Sequence, residues 1–162
     1  MTGRKPRMNR FLIATLSGLL LTIAMPRISS QQAQELKGGA TLKIKVNGAR
    51  NAKGTIRAAL FQSAKGFPGD AAQAIRTQAA NIDPHTLSAQ ITFADLPGGT
   101  YAVSVFHDEN MNQKLDKNFM GIPKEGYGAS SNPGKRIGPP SFEDAKFTID
   151  GAERSLEINL LY

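Results

Sequence analysis

Apolar and polar residues alternate in several short segments of the chain, and this two-residue period predicts β-strands. The segment TLKIKVNG begins at Thr41 and alternates apolar residues with lysines. Its apolar residues share one face of the predicted strand: Leu42, Ile44 and Val46. NAKG follows as a turn, and TIRAALF returns with the same alternation. The two segments are predicted to pair as a β-hairpin.

Four further segments show a strand pattern. LSAQITF, from Leu87 to Phe93, is the first, and TYAVSVFHD follows it after a Pro97-Gly98-Gly99 break that predicts a tight turn between neighbouring strands. KFTID and RSLEINLLY, joined by GAE, are predicted to close the chain as a last hairpin. AAQAIRTQAAN, from Ala71, lacks this alternation and is predicted to be a short surface helix or an irregular crossover.

Six or seven antiparallel strands with short turns indicate an all-β fold, an antiparallel β-sandwich. Residues 41–162 are predicted to form a single sandwich domain, because about 130 residues can bury one core but not two. The one long connection is the segment 108–145, which is rich in Gly, Pro, Asn and Ser.

Connections of this length are either functional or disordered. The segment contains eight large apolar residues counted from the end of the preceding strand, more than a disordered linker carries: Phe106, Leu115, Phe119, Met120, Ile122, Tyr127, Ile137 and Phe142. We therefore expect an ordered loop folded over one end of the sandwich.

The first third of this loop has oxygen-bearing side chains at every second position. Asp108, Asn110, Asn112 and Asp116 occupy positions 1, 3, 5 and 9 of a calcium loop, and the main-chain carbonyl of Lys114 occupies position 7. Calcium prefers oxygen ligands in this arrangement. The pattern predicts a calcium site with these five ligands.

Two positions depart from a helix-flanked calcium loop. Position 6 is Gln113 in place of Gly, and position 12 is Phe119 in place of a bidentate Glu. A further carboxylate would then come from Glu125, Glu143 or Asp144. The alternative is that the Asp and Asn side chains only cap turns by hydrogen bonding to the backbone.

The N-terminus indicates export. Four basic residues and no acid precede the 15-residue apolar run from Phe11 to Met25, which is shorter than the ~20 residues of a membrane-spanning helix. Residues 1–30 are predicted to be a cleaved signal peptide, with a retained N-terminal anchor as the alternative. The predicted location is the periplasm or the extracellular space, and the only predicted membrane contact is through the signal peptide.

The charge of the chain excludes a nucleic-acid-binding protein, and its cysteine content excludes a disulfide-stabilised one. The net charge is +7, but five of the twenty basic residues lie in residues 1–30, so the remainder carries about +2 and has no basic stripe for nucleic acid. The chain has no cysteine, so no disulfide stabilises it. The sequence does not define an oligomeric state.

A hydrolase would need a serine, a base and a carboxylate within mutual reach. His107, Ser130 and Ser131 are the available residues, but the chain has no G-x-S-x-G segment. We therefore predict no catalytic residues and no enzyme activity.

The segment LPGGTYAVSVFHDENMNQKLDKNFMGIPKEGYGASSN, followed by GPPSFEDAKFTI, resembles the bacterial exported family known as domain of unknown function 2141 (DUF2141). The resemblance extends from about Thr41 to Leu160, and the family usually has Gly where Gln113 stands and an apolar residue near Ala129. Nine residues of the second half match its pattern: Gly121, Pro123, Glu125, Gly138, Pro139, Pro140, Phe142, Asp144 and Ala145. The resemblance implies a transthyretin-like or immunoglobulin-like sandwich and an exported location, and it implies no reaction.

Taken together, the sequence predicts a non-catalytic binding or structural module of the cell envelope with a calcium-stabilised loop. One alternative is a carbohydrate- or peptide-binding module that uses Tyr127, Phe119 and polar groups of the loop. The other is an uncharacterised hydrolase.

Overall fold

The structure is a computed structural model that describes residues 1–3, 38–134 and 138–162. The predicted signal peptide, residues 1–30, lies outside the described residues except for its first three. Residues 35–162 belong to one compact unit. Within the described part of the chain, no helix has both the length and the apolar character needed to cross a membrane.

The described residues contain eight strands and one short α-helix. The strands are β1 (Ala40–Asn47), β2 (Thr55–Phe61), β3 (Arg76–Asn81), β4 (Ala89–Leu96), β5 (Gly99–Asp108), β6 (Tyr127–Ala129), β7 (Phe147–Ile149) and β8 (Glu153–Asn159). The helix is α1 (Phe142–Ala145), and a single 3-10 turn covers Ala71–Gln73.

The strands form two sheets, and the predicted all-β sandwich is confirmed. The first sheet has the order β4-β1-β8, and the second has the order β3-β2-β5-β6, with β7 also pairing with β5. The pairs are antiparallel except for β1 with β8, which run parallel. The prediction of a purely antiparallel sandwich was therefore wrong for that pair.

Apolar side chains from both sheets form the main core. The alternating residues of β1 supply Leu42, Ile44 and Val46, and Ile56, Ala58 and Leu60 of β2 face them from the second sheet. The large ring of Tyr101, at the start of β5, is also fully buried, and its hydroxyl donates to the Pro97 carbonyl.

The three predicted hairpin connections were wrong, although their strands exist. β1 pairs with β4 and β8, whereas β2 pairs with β3 and β5. The Pro97-Gly98-Gly99 turn likewise joins β4 to β5, and the GAE segment joins β7 to β8, so each connects one sheet to the other. Alternation alone does not distinguish such crossings from hairpins, because two facing sheets bury the same alternating pattern.

The predicted helix or crossover at Ala71 is mostly strand. Only Ala71–Gln73 is helical, and its first amides are capped by Asp70, whose carboxylate accepts from the Ala72 amide at 3.1 Å. The following β3 is an edge strand whose side chains are almost all exposed. It has no buried face, so no apolar alternation marks it in the sequence.

The long loop, where described, is ordered and has two parts. The first part follows Asp108 at one end of β5, as predicted, and ends at β6. The second part, with α1, covers the outer face of the second sheet rather than an end of the sandwich. There the rings of Phe61, Phe67 and Phe142 pack edge to face at 5.3 and 6.0 Å. Ala102, Ala129 and Ala145 complete this second apolar cluster.

Candidate calcium-binding loop

The candidate loop begins where β5 ends beside the start of β2. Thr55 is paired with Asp108, and the residue before it, Gly54, lies directly against the Asp108 carbonyl. A Cβ at residue 54 would lie 1.9 Å from that oxygen, and Gly54 also has a φ of +68°. Only glycine fits this position, so the contact fixes where the loop leaves the sheet.

Asp108 is fully buried, and its carboxylate is oriented toward the loop. Oδ1 accepts from the Asn112 amide at 3.0 Å, and Oδ2 accepts from the Gln113 amide at 2.9 Å. The Arg57 guanidinium lies 4.0 Å from Oδ2. These donors compensate the buried charge, which would otherwise be strongly unfavourable.

Two asparagines continue the same pattern along the loop. Asn110 Oδ1 accepts from the Asn112 amide at 3.1 Å, and Asn112 Oδ1 accepts from the Lys114 amide at 2.8 Å. Each is a side-chain to backbone turn of the kind expected for Asn. The residues that follow the two asparagines, Met111 and Gln113, have φ values of +61° and +66°.

The backbone conformation of Gln113 matters because this residue occupies position 6, where a calcium loop normally has glycine. Position 6 of a calcium loop requires a sharp turn that glycine normally supplies. Here Gln113 adopts a positive φ itself, so the turn is present despite the non-glycine residue. The cost is the steric strain of a side chain in this region.

Asp116 closes the cluster. Its Oδ2 accepts from Asn110 Nδ2 at 2.7 Å, and its Oδ1 accepts from Asn112 Nδ2 at 3.0 Å. The side chains of Asn110, Asn112 and Asp116 are therefore linked to one another, and the Asp108 carboxylate joins them through the Asn112 backbone amide. Lys114 takes part through its backbone amide.

The Glu125 carboxylate holds two backbone amides of the candidate loop. Only 4% of this residue is exposed. Its Oε1 accepts from the Glu109 amide at 2.9 Å and its Oε2 from the Asp116 amide at 3.0 Å. Of the three carboxylates expected to complete the site, Glu125 alone contacts the loop.

The other two carboxylates belong to α1. Glu143 pairs with Lys146 at 2.6 Å, and Asp144 forms a capping box with Ser141 at the start of the helix. Ala145, at the end of α1, accepts a hydrogen bond from Ser130, which follows β6 beside the middle of β5. The expectation that Glu143 or Asp144 could reach the loop at the far end of β5 is not met. Phe119, at position 12, points into solvent.

The geometry meets some requirements of a calcium site and not others. Four oxygen-bearing side chains converge, the turn at position 6 has the required sign of φ, and calcium accepts carboxylate, amide and main-chain oxygens. The two asparagines present nitrogen rather than oxygen to Asp116, because their oxygens accept from the backbone amides of Asn112 and Lys114. Calcium binding would therefore require these side chains to rearrange. No group of three or more His, Cys, Asp or Glu side chains suited to a metal occurs in the described ranges.

A polar network missed by the sequence analysis lies beside the loop. Arg50 Nη2 approaches Glu109 Oε1 at 2.6 Å as an ion pair rather than a well-aligned hydrogen bond, and Asn51 donates to Glu109 Oε2 at 3.0 Å. Burial raises the pKa of Glu109. The hydrogen bond from Asn51 and the close Arg50 guanidinium lower it by more, so the pKa lies below its ordinary value. Residues 50 and 51 lie in the turn before β2, far from the loop in sequence, so no local pattern indicates this contact.

Tyr162 connects the same network to His107. Its hydroxyl lies 2.8 Å from His107 Nδ1 and accepts from the Arg50 amide at 3.0 Å, and the Arg50 guanidinium stacks over the ring at 4.8 Å. The other His107 nitrogen lies 2.7 Å from the Lys53 carbonyl. Burial, followed by the negative charges of Glu109 and Glu125, raises the pKa of Tyr162 above its ordinary value.

The residues of the hydrolase alternative do not come together. Ser130 is fully buried, donates to the Ala145 carbonyl at 2.6 Å and accepts from the Val103 amide at 2.9 Å. His107 is also fully buried, four residues farther along β5 than Val103. Four strand residues span about 13 Å, so the two side chains are not in hydrogen-bonding reach.

The residues of the carbohydrate or peptide alternative do not line one cleft. Tyr127 lines a cleft of about 190 Å³ together with Pro133, Pro140 and Leu161, whereas Phe119 is not among the lining residues. Ligand pockets usually enclose roughly 300 Å³ or more.

Comparison with known proteins identifies the family but not a function. No curated protein and no solved structure matches the chain. Residues 44–157 match a family described as an uncharacterized protein conserved in bacteria. This match spans more than two thirds of the chain and includes the whole candidate loop, and the chain therefore belongs to the DUF2141 family.

Proposed function

We propose that this protein is an exported, non-catalytic binding or structural module of the cell envelope whose loop 108–118 is stabilised by one calcium ion. The observation that carries the proposal is the convergence of Asp108, Asn110, Asn112 and Asp116 around a left-handed turn at Gln113. A β-sandwich supplies a rigid base for such a loop.

In this proposal the two aspartates are the charged ligands and the two asparagines the neutral ones. The Lys114 carbonyl supplies a fifth oxygen. The ion would neutralise the carboxylates and hold the loop backbone, which is a structural role rather than a chemical one. Sites of low ligand charge in extracellular modules bind calcium with dissociation constants on the order of 10⁻⁴ to 10⁻³ M.

Export is a separate element of the proposal. Its support is the basic and then apolar N-terminal segment. Mass spectrometry of the protein recovered from periplasmic and culture fractions would show a new N-terminus near residue 30 if the segment is a cleaved signal peptide. Recovery of the intact N-terminus in the membrane fraction would instead indicate an anchor.

The calcium element is tested by thermal unfolding of residues 35–162 with calcium, with magnesium and with a chelator. A bound ion stabilises the native state by mass action, so calcium at about ten times its dissociation constant would add roughly 1.4 kcal/mol. Asp116→Asn keeps an acceptor but removes a ligand charge, and it should reduce the calcium response strongly.

Asp83→Asn is the matched control for this test. Asp83 caps a turn outside the loop, where its Oδ1 accepts from the amides of His85 and Thr86 at 2.8 and 3.3 Å. This variant should keep the full calcium response. Equal melting temperatures of the unmodified protein in all three solutions would contradict the calcium site and leave the loop as a set of hydrogen-bonded turns.

A further inference from the structure

The turn that follows the candidate loop exposes apolar side chains to solvent. In the segment 117–124, which we call the loop tip, Phe119 is 97% exposed, Met120 68% and Ile122 54%. These three side chains are close in sequence within one tight turn. Large apolar groups exposed together mark an interaction site more often than isolated ones do.

The backbone of the loop tip is hydrogen-bonded within itself. The Asn118 amide donates to the Ile122 carbonyl at 2.8 Å, and the Gly121 amide donates back to the Asn118 carbonyl at 2.9 Å. Asn118 Oδ1 also accepts from the amides of Met120 and Ile122 at 2.9 and 3.0 Å. These amides need no water, so the tip can enter an apolar layer without leaving them unpaired.

Positive charges flank the apolar residues. Lys117 and Pro123 form an isolated β-bridge, which brings Lys117 and Lys124 to the base of the tip. Both lysines are exposed, and no acidic residue lies between them. The neighbouring Asp116 and Glu125 carboxylates are engaged by loop donors, and Glu125 is buried.

An apolar tip above a basic base fits the surface of an anionic bilayer. Apolar side chains enter the boundary between headgroups and acyl chains, while lysines remain among anionic headgroups. A narrow, convex turn does not offer the roughly 800 Å² per partner that a stable protein interface needs. A fluid lipid surface can close around it.

We propose that the loop tip is a membrane-docking element that inserts Phe119, Met120 and Ile122 into the interface of a bilayer containing anionic lipid. The inference does not depend on calcium, because Asn118 closes the turn, and Asp116 contributes only its main-chain carbonyl, which accepts from the Lys124 amide at 2.8 Å. It adds a second membrane contact to the one predicted at the N-terminus.

The first test is co-sedimentation of residues 35–162 with vesicles, in the presence of chelator so that calcium has no part in it. Circular dichroism checks that each variant is folded. Binding is expected to vesicles of phosphatidylcholine with about one third phosphatidylglycerol, and to be weaker with phosphatidylcholine alone. Phe119→Ser with Met120→Ser should weaken binding by about tenfold or more.

Matched controls separate this effect from general loss of apolar surface or charge. Ile75 is exposed outside the loop, and Ile75→Ser should leave binding unchanged. Lys117→Gln with Lys124→Gln should weaken binding to anionic vesicles several-fold and reduce its dependence on salt, whereas Lys45→Gln with Lys65→Gln should change it less.

A fluorescent reporter tests insertion directly. The chain has no tryptophan, so Phe119→Trp introduces a single one at the tip. Its emission should shift to shorter wavelength on addition of anionic vesicles, whereas the emission of Ile75→Trp should not respond. An unchanged spectrum at residue 119, or sedimentation unaffected by the double serine variant, would overturn the proposal and direct attention to a protein partner.

Discussion

The Glu125 carboxylate accepts a hydrogen bond from the Asp116 amide at 3.0 Å, and this buried contact fixes the far side of the candidate calcium loop. The second oxygen of Glu125 accepts from the Glu109 amide, near the start of the loop. One side chain thus connects two loop positions that are seven residues apart. The loop shape depends on a residue outside the Asp and Asn pattern.

Glu125→Gln should destabilise the fold by about 1.5–3 kcal/mol, because an amide group would replace one oxygen that faces a backbone donor. Urea unfolding followed by circular dichroism measures the change. Glu143→Gln is the control, since Glu143 is exposed and its pair with Lys146 should contribute less than about 1 kcal/mol. Similar losses for the two variants would show that Glu125 does not support the loop.

Gly54→Ala should cost about 3 kcal/mol or more, because the new Cβ would overlap the Asp108 carbonyl at a positive φ. Gly121→Ala is the matched control. Gly121 has a φ of +79° with no atom within 4 Å of the added carbon, so only the backbone strain of about 1–2 kcal/mol applies. If both alanine variants unfold at the same urea concentration, the close approach at residue 54 is incorrect.

Gln113→Gly should stabilise the protein by about 0.5–1 kcal/mol, since glycine removes the strain of the left-handed turn at a smaller entropic cost. Lys114→Gly, one residue later and without a positive φ, should destabilise it by a similar amount. Equilibrium unfolding of both variants is the measurement. A loss of stability in both would argue against the left-handed conformation of Gln113.

Glu109 should make stability depend on pH in the acidic range. Its pKa is lowered in the folded state, so its contribution is complete above the unfolded value of about 4.3 and is lost as the pH falls through the folded value. The free energy of unfolding of the unmodified protein and of Glu109→Gln should differ most near neutral pH and converge below about pH 4. Parallel curves over this range would contradict the lowered pKa.

Much of the fold followed from alternation, but the strand pairing did not. Leu42 and Ile44 of β1 and Ile56 and Leu60 of β2 are buried as their pattern indicates. Because both sheets of a sandwich face one core, this burial is the same whether β1 and β2 are neighbours or lie in opposite sheets. The hairpins predicted from short turns were wrong for this reason.

The local turns of the Asp and Asn run followed from residue type, whereas the support of the loop did not. Alternate residues Asp108, Asn110 and Asn112 meet because each forms a local turn with the next backbone amides. Arg50 and Asn51 reach Glu109 from nearly sixty residues away. Such contacts depend on which strands lie side by side, and that information is not local.

The most direct test of the calcium loop is a titration of ¹⁵N-labelled residues 35–162 with calcium, followed by amide NMR shifts. The amides of Asn112, Gln113 and Lys114 should shift saturably with a dissociation constant on the order of 10⁻⁴ to 10⁻³ M. Magnesium should not reproduce the shifts, and Asp116→Asn should strongly reduce them. Unchanged loop amides at calcium concentrations of about 10⁻² M would contradict the account.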